Sequence, residues 1–241
     1  MFDWFKKEKA TPAPLTTDVH SHLLPGLDDG VKTLEESLAL ISTFRSLGYR
    51  KLITTPHVMS DAYRNTSDDI LGALHTVRSA VAEKSIHIDL QAAAEYYLEE
   101  DFFRRVESGE KVLTFGNNLL LFETNFMTEP LNLKEFIFIA HTKGYKLVLA
   151  HPERYVYMHN DLAKMEDLLN RGVQFQLNIS SLTGYYSKGA QFTAQKMIDR
   201  GWVHLLGSDC HHEQHLQLVK SAQGMKYFQK ALSLPLLNHS I

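Results

Sequence analysis

Cysteine is almost absent from this chain: Cys210 stands alone in 241 residues. An internal disulfide is therefore excluded, and a reducing compartment fits. No apolar run approaches the ~20 residues that cross a bilayer. Charge of one sign is also lacking, since the formal net charge is −3, so no global field favours nucleic acid. Neither G-x-G-x-x-G nor G-x-x-x-x-G-K-[ST] follows an apolar run, so a nucleotide fold lacks its fingerprint. Repeats and low-complexity stretches are missing too. The start, Met1-Phe2-Asp3-Trp4-Phe5-Lys6-Lys7-Glu8-Lys9, has a basic edge but no apolar core of a secretory signal. Residues 1–14, with Pro12 and Pro14, are expected to be a flexible N-terminal segment of a single domain spanning 1–241.

What is present is an alternation. Composition is ordinary for a soluble globular protein, 44% hydrophobic and 22% charged. Strands are expected at Leu15–His20, Lys51–Thr55, Ile86–Ala94, Asn118–Phe122, Lys146–Ala150, Val173–Ile179 and Val203–Leu206. Helices are expected between them. Thr33-Leu34-Glu35-Glu36 is a capping-box signature, with Leu34, Leu38, Ile41 and Leu47 facing inward and Gly48 as the stop. Ser67–Lys84 carries a stripe of Ile70, Leu71, Leu74 and Val77. Further helices follow at Glu99–Ser108, Asn132–Lys143, Asp161–Arg171, Gln191–Arg200 and, as one long helix, His215–Leu232. Strand and helix thus alternate about seven times, which means parallel strands with helical crossovers. Leu119–Phe122 and Leu147–Ala150 are continuous apolar runs, as strands buried on both faces are. The fold class is α/β.

Histidine, unlike cysteine, is plentiful, with 13 copies. Five of these stand at the ends of apolar runs. The first expected strand ends in Asp18-Val19-His20-Ser21-His22, and imidazoles at i and i+2 of a strand point to one face. The second ends in His57, the third in Glu95, the fourth in Glu123 and the fifth in His151. The sixth ends in Asn178, and the seventh leads into Asp209 and His211. In a parallel barrel all strand C-termini open onto one face, where functional groups collect. Each residue alone has an ordinary reading: His57 as a turn residue, Glu95 as the start of a loop, Asp209 as a helix cap. Together they form a set of imidazoles and carboxylates suited to divalent metals. The other histidines, among them His75, His87, His141, His159 and His204, fall in helices or inside strands.

The segments DVHSHLLPGLDDG, TTPH, AAAEYY, LFE, AHPERY and GSDCH resemble the polymerase-and-histidinol-phosphatase (PHP) family of metal-dependent phosphoesterases. The resemblance is greatest to its bacterial capsule and exopolysaccharide type of protein tyrosine phosphatase. It runs in order from about Thr17 to His211. It implies a distorted seven-stranded (β/α) barrel with two or three divalent ions, manganese by precedent, with iron or zinc as other candidates. It places His20, His22, Glu95 and Asp209 on one ion. Glu95, Glu123 and His151 fall on a second, and Asp29, His57 and His211 on a third. Arg154, in HPERY, matches an arginine that contacts the substrate phosphate, and Asn178 is assigned to the same substrate site. Asp209 and Arg154 are the expected catalytic pair. One departure is visible: His212-Glu213-Gln214-His215 stands where relatives often carry a second arginine. The implied substrate is phosphotyrosine on the tail of a bacterial tyrosine autokinase of polysaccharide export, met in the cytoplasm at the inner membrane surface. Alternatives are a small-molecule phosphatase of the histidinol phosphate type and an amidohydrolase-like hydrolase.

The chemistry agrees. Adjacent divalent ions can acidify a water and stabilise both oxygens of an in-line displacement. A planar guanidinium can hold two phosphate oxygens. A cysteine phosphatase is excluded, because Leu216 stands where a C-x5-R loop beginning at Cys210 needs arginine. Tyr96, Tyr97, Tyr155, Tyr185 and Tyr186 lie just past strand ends and are candidates for an aromatic rim around a substrate ring.

Overall fold

The computed structural model describes residues 12–159 and 161–241. The aromatic and basic residues at 1–9, and most of the expected flexible segment, lie outside the described residues. The strands are β1 (Thr17–Asp18), β2 (Lys51–Thr54), β3 (His57–Val58), β4 (Asp89–Ala92), β5 (Glu95–Tyr97), β6 (Leu119–Glu123), β7 (Lys146–Ala150), β8 (Gln174–Asn178) and β9 (Leu205–Gly207). Between and after them run helices α1 (Leu34–Ser46), α2 (Ser67–Glu83), α3 (Glu100–Ser108), α4 (Leu133–Thr142), α5 (Val156–His159), α6 (Leu162–Asn170), α7 (Lys188–Arg200), α8 (Glu213–Gln223) and α9 (Lys226–Ala231). All named strand pairings are parallel. The orders are β1-β2-β4 in a three-stranded sheet and β3-β5-β6-β7-β8-β9 in a six-stranded one, which together form a half-barrel.

Two expected strands are each interrupted. Lys51–Thr55 stops at Pro56, which has no N–H to give a ladder, and the chain resumes as β3 with His57. Ile86–Ala94 shortens to β4, breaks at Ala93-Ala94 and resumes as β5 with Glu95. The breaks are in step. Lys51 pairs with Asp89, Thr54 with Ala92 and, past the gap, His57 with Glu95, so the offset never changes. Glu95 N–H donates to the Pro56 carbonyl across the gap at 3.1 Å. Two site residues therefore begin short strands rather than ending long ones.

The expected first strand shrinks to two residues. Beyond it the chain is held by single bonds: Asp209 N–H donates to the His20 carbonyl at 2.8 Å, and His22 N–H to the Cys210 carbonyl at 2.9 Å. Deeper down, Asn238 occupies the space between β1 and β9. Its amide donates to the Thr17 and Leu206 carbonyls, and its oxygen accepts from Leu206 N–H. A side chain here stands in for a strand pairing.

Side chains alternate across β6 and β7 as pleating requires. Leu119, Leu121, Val148 and Ala150 point inward to a small core with Val19, Ile53, Phe115 and Leu205. Leu120, Phe122, Leu147 and Leu149 point outward to a larger one shared with the helices, including Phe44, Phe136 and Leu168. Thr33 caps α1 with reciprocal bonds to Glu36, as expected, and Thr66 caps α2 in the same way with Asp69. On α1 Ser37, Leu40, Ile41 and Phe44 are buried, and the expected Leu34, Leu38 and Leu47 are partly buried against the same core; Ser37 Oγ donates to the Leu23 carbonyl at 2.6 Å. On α2 Leu71 is exposed and Val81 completes the stripe. The single long C-terminal helix is two, α8 and α9, parted at Gly224-Met225. Among the described residues no helix is long and apolar enough to cross a membrane.

Candidate metal centre

The strand ends converge. His20, His22, His57, His151 and His211 meet Asp29, Glu95, Glu123 and Asp209 in four overlapping groups of potential ligand atoms. The groups are His22–Asp29–His57–His211, His20–His22–Glu95, His20–His151–Asp209 and His57–Glu95–Glu123. This partition differs from the one implied by the resemblance in three respects. His22 joins the Asp29 group, His57 reaches Glu95 and Glu123 as well as Asp29, and His151 groups with His20 and Asp209 rather than with Glu123.

Local backbone explains several of these placements. Glu123 follows the inward parity of Leu119 and Leu121. His151 would point outward by the same alternation after Ala150, but its left-handed backbone (φ 35°) turns it into the site. Asp209 is also left-handed, at φ 52°. Two non-glycine residues in this region, both carrying site side chains, are strain held in place by the surrounding fold. Gly207 is required for another reason: a Cβ there would lie 2.7 Å from His20 Cβ.

Glu95 sits at the centre, fully buried. Its Oε1 lies 3.0 Å from His151 Nε2, and its Oε2 lies 3.1 Å from both His20 Nε2 and His57 Nδ1. Asp209 Oδ1 lies 3.4 Å from both His20 Nε2 and His22 Nε2. The other oxygen, Oδ2, accepts from Arg154 Nη1 at 2.8 Å, Asn178 Nδ2 at 2.7 Å and Tyr186 Oη at 3.3 Å. Burial disfavours a charged His20, yet Glu95 and Asp209 outweigh it and raise its pKa to about 10. His57 is likewise opposed by burial but carried to about 10 by Glu95 and Glu123. Glu95 and Asp209 are driven the other way, well below the usual carboxylate range: the facing imidazoles overcome burial.

The donor set fits divalent cations. Buried carboxylates this close together need positive charge between them. His57 Nδ1 is buried within 3.3 Å of both Glu95 and Glu123 yet makes a hydrogen bond with neither. His20 Nε2 and His22 Nε2 face each other at 3.3 Å, where a shared cation answers both lone pairs. The outer nitrogens are fixed in the manner of metal-binding imidazoles. His20 Nδ1 pairs with Gln176 Oε1 at 2.8 Å and His22 Nδ1 with Asp28 Oδ2 at 2.6 Å.

Those two partners, Asp28 and Gln176, were not among the expected site residues. Asp28 stands beside the expected Asp29 but is buried, and also accepts from the Gly30 and His57 N–H groups. Burial works against its charge, and His22 with those bonds pulls its pKa below the usual range. Gln176 was legible in principle: Gln174, Gln176 and Asn178 put a polar side chain at every second position of an otherwise apolar strand. Asn178, expected at the substrate, is fully buried. It donates to Asp209 and accepts from Gln176 Nε2 at 2.9 Å. Arg154 lies between two rings, 4.7 Å from the centre of Phe126 and 4.1 Å from that of Tyr186. Of the expected rim, Tyr96 and Tyr155 are buried and accept from the Leu113 and Thr124 N–H groups, so they pack loops. Tyr185 and Tyr186, with Arg154 and Asp209, line a cavity of about 370 Å³ over the centre. Cys210 is buried, and burial pushes its thiol well up, so it is no nucleophile.

Residues 16–233 match the family model described as capsular polysaccharide synthesis, CpsB/CapC. The chain belongs to this family. Tyrosine-protein phosphatase CpsB of Streptococcus agalactiae is 26% identical over 200 residues, 81% of this chain and 82% of that one. Tyrosine-protein phosphatase YwqE of Bacillus subtilis is 23% identical over 195 residues, 81% of this chain and 77% of the other. A solved structure, from work on Bacillus subtilis YwqE and Streptococcus pneumoniae CpsB as metal-dependent tyrosine phosphatases, aligns with a TM-score of 0.78. It is 22% identical, over 88% of this chain and 89% of that one, and shares the CpsB/CapC fold.

Proposed function

We propose that this CpsB/CapC family chain is a metal-dependent phosphomonoester hydrolase acting on phosphotyrosine, with His20, His22, Asp29, His57, Glu95, Glu123, His151, Asp209 and His211 as its metal ligands. The observation that carries the reading is the overlap of four ligand groups directly beneath a single guanidinium, Arg154. The ions, two or three in number and manganese by family precedent, supply Lewis acidity and an acidified water when bound. The chain's own residues do the rest. Glu95 directs one oxygen to each side of the centre, as a bridging ligand does. Gln176 and Asp28 fix the tautomers of His20 and His22. Arg154, flattened between Phe126 and Tyr186, holds the phosphoryl oxygens as charge spreads over them. Asn178 holds Asp209 in place and leaves direct substrate contact to Arg154.

The hydrogen bonds from Asp209 to His20 and from His22 to Cys210 support reading the strands as a distorted seven-stranded barrel. In it β2 with β3, and β4 with β5, are each one interrupted strand, and the whole is a single domain. Glu95 and Glu123 stand where a C–N hydrolase of this architecture commonly carries a bridging lysine, which favours phosphoester chemistry. The relatives named as tyrosine phosphatases favour a protein substrate. We assign it as the tyrosine-rich tail of a bacterial tyrosine autokinase of polysaccharide export, met in the cytoplasm.

The purified protein should lose activity to EDTA and regain it with Mn²⁺. Activity that survives stringent chelation but dies with a thiol alkylator overturns the metal reading. Histidinol phosphate and a phosphotyrosine peptide, assayed side by side, decide the substrate class, and the peptide is expected to be turned over faster.

A further inference from the structure

Apart from the proposed metal centre beneath it, the wall of the cavity is poor in positive charge. Among the described residues lining it, Arg154 is the one fixed cation, and Asp29 and Asp209 bring carboxylates. Arg154 already donates to Asp209. A phosphoryl group entering this space therefore has room for a further hydrogen-bond donor from the wall.

His215, on the first turn of α8, also lines this cavity. It is 7% exposed, so its ring is held. His211 N–H donates to its Nδ1 at 3.1 Å, which makes Nδ1 an acceptor. A neutral imidazole that accepts at Nδ1 carries its proton on Nε2. A proton on both nitrogens would set Nδ1–H against the His211 N–H. Tyr185 stands edge-on to the ring at 5.4 Å between centres, and His212 lies 4.0 Å away, so the ring is braced on two sides. Among the described residues Nε2 makes no hydrogen bond, and it is not one of the buried atoms sealed from solvent, so it is open to a ligand. The structure therefore presents a neutral N–H of fixed tautomer on the wall of the cavity that holds Arg154.

We infer that His215 donates its Nε2–H to a phosphoryl oxygen of the substrate, sharing that group with Arg154. The inference rests on the phosphatase reading and adds a substrate-binding residue to it. A neutral donor suits this place because it binds an anion without pairing to Asp29 or Asp209 beforehand.

The test uses the metal-loaded enzyme with inorganic phosphate as the probe, measured by calorimetry, together with elemental analysis. His215→Asn keeps an oxygen able to accept from His211 N–H but falls short of the cavity. His215→Gln reaches the cavity with an amide N–H. His215→Asn should bind phosphate about three- to tenfold more weakly than wild type, the range for one lost neutral hydrogen bond, with metal content unchanged. His215→Gln should recover most of that loss. In the wild type, the His215 ¹⁵N signals should show the Nε2–H tautomer, and Nε2 should shift when phosphate is added. Wild-type phosphate affinity in His215→Asn overturns the inference. So does an equal loss of affinity in both variants, and so does loss of metal from both, which would make His215 a support for His211 alone. Failure of the phosphatase reading shows separately, as wild-type enzyme that binds phosphate but does not turn over a phosphotyrosine peptide.

Discussion

Strands β6 to β8 and the seam between β1 and β9 hold parallel chain together by different means. In β6 to β8 five-residue strands pair through regular ladders, with apolar side chains alternating between two cores. At the seam the strands are two and three residues long, and side chains replace the ladder. Asp18 accepts from Ser208 N–H at 2.7 Å and from Ser208 Oγ at 2.9 Å, and Asn238 fills the gap below. Thr54 Oγ1 donates to the Ser21 carbonyl at 2.9 Å. A regular ladder fixes direction but leaves each strand end on its pleat. The seam lets His20 and His22 leave the strand path and turn toward the centre. Irregularity here is how side chains from distant parts of the chain reach one point.

The sharpest break of this comparison removes a ligand and leaves both regions standing. Glu95→Ala should strip bound metal and reduce activity to background, while the far-ultraviolet circular dichroism stays native. Elemental analysis and a phosphotyrosine peptide assay check it, and retained metal would refute the central role given to Glu95. Next in size, Arg154→Ala should keep its metals and lose on the order of 10²–10³ in kcat, as for removal of one charge-assisted contact to a transition state. Near-normal turnover, or loss of metal, would refute it. The seam itself is tested by Asn238→Ala, which leaves the Leu206 N–H and two carbonyls without their partner. Denaturant unfolding should show a loss of about 1–3 kcal/mol for these unmet groups. Leu121→Ala, in the regular region, should cost about 2–5 kcal/mol through a cavity, with no effect on the metal-to-protein ratio. The smallest effect is expected at His204, beside the seam, where Nδ1 accepts from Phe175 N–H at 3.1 Å. Burial lowers its pKa below the ordinary 6.5. The unfolded chain then binds the proton more readily, so stability should fall as pH drops below about 6.5. His204→Asn should reduce that slope in melts taken across the window, and an unchanged slope would exclude His204 as its source.

The same division governs what the sequence discloses. Leu119–Phe122 and Lys146–Ala150 read correctly because buried parallel strands need only apolar residues in a row, and Thr33 because a capping box is local. Eight of the nine proposed ligands are legible as polar residues at apolar boundaries and Asp29 only through the family resemblance, and all nine come together. The interruptions at Pro56 and Ala93-Ala94 were not legible as such, since the register across them depends on two segments distant in the chain. Asp28 and Asp29 look alike in the sequence, and only burial in the fold separates them. Phe126 and Tyr186 carry no local mark of an arginine held between them, which exists only once three loops meet.

Asn238 sets an order of events. The groups it joins, Thr17 and Leu206, lie 221 and 32 residues from it along the chain. During synthesis the first strand is made long before its stitch. Until Asn238 leaves the ribosome, β1 and β9 are joined, among the described residues, only through Asp18, His20 and His22, and the lower part of the seam lacks its stitch. A nascent chain stalled before Asn238 would therefore leave the Thr17 carbonyl and the Leu206 N–H and carbonyl without this partner, at a strand edge able to pair with another chain.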